Sequence, residues 1–145
     1  MADTARVLVV ANRTAESPEL LAALTERATR GPCEFTLLVP ATPHGIAWAA
    51  DMHAGESEAE EHRRGFVDEL REAGLPVADA RVGDPVPIAA IADECNLRDY
   101  DELIISTLPL HVSKWLKLDL PRKARAATGL PVTHVVAQEV KAGAR

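Results

Sequence analysis

The chain has 145 residues, a length that suits one domain and buries a core without disulfides or metals. Apolar residues are 47% and aromatics 3%, so the core must be Val, Leu, Ile and Ala, as in parallel strands buried on both faces. A net charge of −6 argues against a general nucleic-acid binder, and two cysteines (Cys33 and Cys95) without a C-x-x-C pair argue against a disulfide scaffold.

No apolar run reaches the roughly 18 residues that a membrane helix needs. The start, Met1-Ala2-Asp3-Thr4, lacks the basic segment of a signal peptide, so a cytoplasmic protein is expected. The first predicted strand is Arg6–Ala11, a continuous apolar run. Ser17 caps the helix that follows, Pro18 suits its first turn, and Leu20, Leu21, Leu24 and Ala28 form its apolar stripe. Gly31-Pro32 ends it. The second strand is Phe35–Val39, followed by an irregular stretch over residues 40 to 55. Ser57 with Glu60 reads as a capping box opening a helix striped by Ala59, Phe66, Leu70 and Ala73 and stopped by Gly74. A third strand spans Val77–Val82.

Asp84 is expected to cap the next helix, with Pro85 in its first turn and Ile88, Ile91, Ala92 and Cys95 facing inward. Glu102–Ser106 is the fourth strand. Irregular chain covers Leu108–Leu118, and Asp119 then caps a helix that buries Leu120, Ala124 and Ala127 and stops at Gly129. Val132–Ala137 is the fifth strand, and Lys141–Arg145 a frayed tail. Strand and helix alternate throughout, which predicts a single α/β domain over 1–145: an open five-stranded parallel sheet, Rossmann-like, with right-handed crossovers and helices on both faces.

These residues resemble the universal stress proteins over nearly the whole chain. Arg6–Asn12 with Ser17 is similar to the family's opening strand and loop. Gly83-Asp84-Pro85 with Ile88 and Ala92, then Tyr100–Ile105, is similar to its Gly-Asp-Pro turn, third helix and fourth strand. Leu130-Pro131-Val132 matches the approach to the last strand. The resemblance implies strand order 3-2-1-4-5 and a homodimer. It also implies a nucleotide loop, Gly-x2-Gly-x9-Gly-Ser/Thr, after the fourth strand. Here Ser106, Pro109, Asp119 and Leu120 stand at those positions. Pro109 has no N–H to donate, and Asp119 places a carboxylate at a helix start where a phosphate would sit. Asn12 replaces the acidic residue that many members carry after the first strand. ATP or another adenine nucleotide is therefore disfavoured as a cofactor in this divergent chain.

Open parallel sheets bind ligands where the winding reverses, which the strand order implied by the resemblance puts between strands one and four. Asn12-Arg13-Thr14 would line one side and Ser106-Thr107-Leu108-Pro109 the other; Val39 and Gly83 complete the candidate set. Ser113, Lys114, Trp115, Asp119 and Arg122 read either as an anion site, with Lys114 and Arg122 as charges and Trp115 as a stacking surface, or as a crevice plugged by Trp115 and Leu118 among solvated cations.

His44, His53, His62 and His111 lack metal-ligand spacing, Cys95 reads as inert core, and Glu56–Glu61 as a solvated face. No residue is read as catalytic. The fifth strand should be an apolar edge pairing with a second copy through Val132, His134, Val135 and Val136. The expected function is a non-catalytic regulatory or sensor module with an atypical loop, a small anionic ligand, and no membrane or nucleic-acid partner. A nucleotide-dependent enzyme and a purely structural interaction domain are the alternatives.

Overall fold

Continuous apolar runs become central strands because their alternate residues feed two different cores. In the computed structural model, which describes residues 4–42, 54–110 and 113–138, β1 (Ala5–Val10) sends Val7 and Val9 into one core and Leu8 and Val10 into the other. The elements follow in order: α1 (Pro18–Thr29), β2 (Cys33–Pro40), α2 (Ala54–Glu72), β3 (Val77–Gly83), α3 (Pro87–Leu97), β4 (Glu102–Thr107), α4 (Lys114–Lys117), α5 (Leu120–Thr128) and β5 (Val132–Val136). All five strands are parallel, in the order β3-β2-β1-β4-β5. The expected topology is therefore the observed one.

One face of the sheet is closed by Leu20 and Leu24 of α1 with Phe66 and Leu70 of α2, the other by Ala90 and Ile91 of α3 with Leu120 and Ala124 of α5. Ser17 caps α1 as predicted: its hydroxyl accepts from the Leu20 N–H at 3.2 Å.

Four expectations change. Ser57 opens no capping box, because α2 already runs from Ala54; Glu60 is instead held by Arg63 and Arg64, which bring its carboxyl down to about 2. Helix α3 starts two residues later than Asp84 and Pro85 suggested, with Val86 at the cap position and Pro87 in the first turn. The residue before a proline is pushed out of helical geometry, and Val86 is extended (φ −88°, ψ 111°); Asp84 receives the Val86 N–H in a tight turn instead. The inward face of α3 is also rotated, with Glu94 buried and Ala92 only half-buried. The Glu94 carboxyl oxygens are satisfied there, accepting from Tyr100 at 2.5 Å and from Arg81 and Arg98 at 3.2 and 3.3 Å. Burial and the bond to Glu94 push the Tyr100 phenol up to about 12. Ala73 and Ala127, read as core, are exposed.

His44, His53, His111 and the tail from Lys141 lie outside the described residues. Among the described residues, no group of His, Cys, Asp and Glu could hold a metal, and no helix is long and apolar enough to cross a membrane.

Candidate functional site

The winding of the sheet reverses between β1 and β4, and their register brings the two strand ends level. Val10 lies opposite Ile105, so the loop from Asn12 runs beside Ser106 and Thr107. A cavity of about 80 Å³ opens there, lined by Asn12, Arg13 and Thr14 on one side and Ser106, Thr107 and Leu108 on the other. Thr42, after β2, and Ser113, Lys114 and Trp115, from the start of α4, complete the wall.

The floor is polar and internally bonded. The Thr14 and Ser106 hydroxyls, both buried, share a hydrogen bond of 2.6 Å that ties the β1 loop to β4. Asn12 is buried and donates to the Pro40 carbonyl at 2.5 Å. The Thr107 hydroxyl donates to the Leu108 carbonyl at 2.8 Å and also lies 2.8 Å from Nε2 of His134. The hydroxyl thus joins β4 to β5, the direction of its bond to His134 being set by the imidazole tautomer. His134 as a whole is exposed near the sheet edge, and the partial burial that remains holds its imidazole below the usual pKa.

The rim supplies charge. Arg13 and Lys114 are both exposed and form no ion pair among the described residues. Trp115 is buried as a side wall of the cavity, whereas Leu118 is 59% exposed and does not line it. Arg122 is not at the cavity either: its side chain is 84% exposed and pairs with Asp119 at 2.7 Å. Pro109, Asp119, Val39 and Gly83 also lie off this cavity. Gly83 borders a separate open hollow with Ala41, Glu60 and Asp84, and Val39 is buried with Ala41 and Ala59.

Asp119 sits at the start of α5 as expected but makes no side-chain cap. Its backbone is left-handed (φ 58°, ψ 43°), the conformation that favours glycine, while Ser113 does cap α4 by accepting from the Leu116 N–H at 3.1 Å. A left-handed turn of the kind glycine favours thus stands at the start of α5, with a carboxylate on it.

Thr42 was not legible as a site residue, because it lies in the irregular stretch after β2; only its place past the end of a strand next to β1 could have pointed to it. The Thr107–His134 link had no sequence signal, since it joins strands that are neighbours only in the folded sheet. Cys95 is half-buried, and burial pushes its thiol up, as it does for Cys33. That is the behaviour of packing groups, not reactive ones.

Among solved structures, the chain is similar to a universal stress protein family protein from Arabidopsis thaliana with AMP bound, over 92% of both chains at 14% identity and a TM-score of 0.64. It is also similar to the universal stress protein from Archaeoglobus fulgidus in complex with dAMP, over 93% of this chain and 99% of the other, at 17% identity and a TM-score of 0.61. A universal stress protein in complex with cAMP is similar over 92% of this chain and 98% of its own, at 14% identity and a TM-score of 0.58. No protein-family model matches the sequence, and no curated protein matches it. The fold of the chain is that of the universal stress proteins.

Proposed function

We propose that this chain is a divergent universal-stress-protein-like regulatory module, without catalytic activity, whose crevice takes a small anionic ligand in place of a nucleoside triphosphate. The observation that carries this is the presence of Arg13 and Lys114, neither in an ion pair among the described residues, at a small cavity with a bonded hydroxyl floor. Two cations at the mouth favour an anion, and the buried Trp115 offers an apolar wall for its body. The loop positions that would cradle further phosphates are occupied by Pro109, which has no N–H, and by the carboxylate of Asp119.

A second reading is supported by the neighbours described with AMP, dAMP or cAMP: a ligand bearing one phosphate on an adenosine. Calorimetry with Mg-ATP, AMP and inorganic phosphate in parallel separates these. Mg-ATP should give no saturable heat at tens of micromolar, about 6 kcal/mol of binding free energy. Tight ATP binding that is lost on Asn12→Ala or Ser106→Ala would refute the proposal. AMP binding without ATP binding would select the second reading.

The module acts in the cytoplasm as a homodimer, each β5 lying antiparallel to its mate. β5 is an edge strand, and Val136 on it is 40% exposed. Sedimentation at micromolar concentration should show a dimer, and Val136→Lys, which sets two like charges near the axis, should shift it toward monomer. A wild-type monomer would rule out the assembly.

A further inference from the structure

The helices after β4 carry charge of the opposite sign to the rest of the chain. Residues 114–125 hold Lys114, Lys117, Arg122, Lys123 and Arg125 against the carboxylate of Asp119, a net of +4 in a chain whose total is −6. All five cations are exposed, and among the described residues only Arg122 has an ion-pair partner. The reason lies in packing: α5 buries Leu120 and Ala124, which turns Arg122, Lys123 and Arg125 outward. Leu118, 59% exposed, sits between the cations of α4 and those of α5.

We propose that this α4–α5 surface docks a short acidic segment of another protein. Charge complementarity selects an anionic partner. Size selects a short one: the nine residues of α5 span about 14 Å at about 1.5 Å per residue. The rest of the chain carries a net −10, so the attraction is confined to this segment. Duplex DNA or an anionic membrane extends well past a patch of this size onto a chain that is otherwise net negative, whereas a peptide with four or five carboxylates matches it. Leu118 adds an apolar contact that a phosphate backbone would not use. Lys114 also lies on the crevice rim, so the test leaves it and Arg13 intact and changes only cations off the crevice.

The test is fluorescence anisotropy of a fluorescein-labelled ten-residue peptide with five Glu and two Leu, against the full chain. Binding in the micromolar range at 50 mM salt is expected, weakening at least tenfold by 300 mM. The variant Lys123→Glu/Arg125→Glu should weaken it at least tenfold with an unchanged melting temperature, because neither side chain has an ion-pair partner among the described residues. The milder Lys123→Gln/Arg125→Gln should fall between it and the wild type, and it decides the matter if the charge reversal fails to fold. Leu118→Ser should weaken binding about threefold. No binding, or binding indifferent to the charge changes, would overturn the proposal. Tighter binding of a 20-base-pair duplex or of vesicles containing 30% phosphatidylserine would also overturn it, by assigning the surface to a different polyanion.

Discussion

The two loops that wall the crevice are held in different ways. The β1–α1 loop is fixed by side chains: Asn12 bonds to the Pro40 carbonyl, Thr14 to Ser106, Glu16 to Nδ1 of His62 at 2.9 Å, and Ser17 caps α1. Glu16 approaches α2 over Gly65, where an added Cβ would lie 2.3 Å from the Glu16 carboxylate. The β4–α5 segment relies more on its backbone. Ser113 caps α4, but the decisive turn at Asp119 is a left-handed residue with no side-chain cap, its carboxylate paired with the exposed Arg122. The first loop is specified by residue chemistry, the second by where the chain must go between two short helices.

The largest expected effect tests the bond that joins the two sides. Thr14→Val leaves the buried Ser106 hydroxyl unpaired and should cost about 1–3 kcal/mol in denaturant unfolding. Ser106→Ala should cost a similar amount, and the double variant less than the sum of the two, since no orphaned hydroxyl remains. Strict additivity would mean that the pair does not couple the loops. Next, Ser17→Ala should cost about 1 kcal/mol, the usual value of a lost helix cap, with α1 fraying first in hydrogen exchange.

At Asp119 the two loops differ most. If its side chain were a cap, glycine there would be at best neutral. With its backbone left-handed, Asp119→Gly should instead stabilise by about 0.5–1 kcal/mol, while Asp119→Ala keeps the strain and destabilises by less than about 1 kcal/mol. The exposed Asp119–Arg122 pair contributes little to either outcome. A glycine variant that melts below the alanine variant would show that the turn is not set by the backbone. In combination with Pro109→Gly, Asp119→Gly should also raise affinity for phosphate, measured by calorimetry.

Local chemistry could be read in advance, and long-range pairing could not. Strand order followed from the resemblance, and strand positions from apolar runs such as Val7–Val10, whose residues are buried on both faces. Ser17 was legible because its signal is local: a hydroxyl directly before Pro18, with Glu19 adding negative charge to the first turn. Asp84 failed by the same local logic, because a second proline, Pro87, moved the helix start. Glu94, Thr42 and the Thr107–His134 bond were not legible: each depends on partners brought together only by the folded sheet.

The smallest expected effect concerns His134, which braces the β4 side of the crevice through Thr107. Burial lowers its pKa below the ordinary value of 6.5. The unfolded chain therefore binds the proton more readily than the folded one, and stability rises with pH wherever that holds. The contribution is fully present above about pH 6.5 and is lost as the pH falls through the lower, folded value. The bonded partner does not reverse the sign, since Thr107 is neutral and burial is the cause of the shift. His134→Gln keeps a hydrogen-bonding group for Thr107 but does not titrate, so it should flatten this part of the stability profile between pH 7.5 and 5. Denaturant unfolding of both proteins across that range measures the difference, and an NMR titration of the imidazole gives the pKa directly. A His134 that titrates at or above 6.5 would mean that the ring is more open to water than its place beside Thr107 requires, and the brace on this side of the crevice would then be weaker than the side-chain bonds on the other.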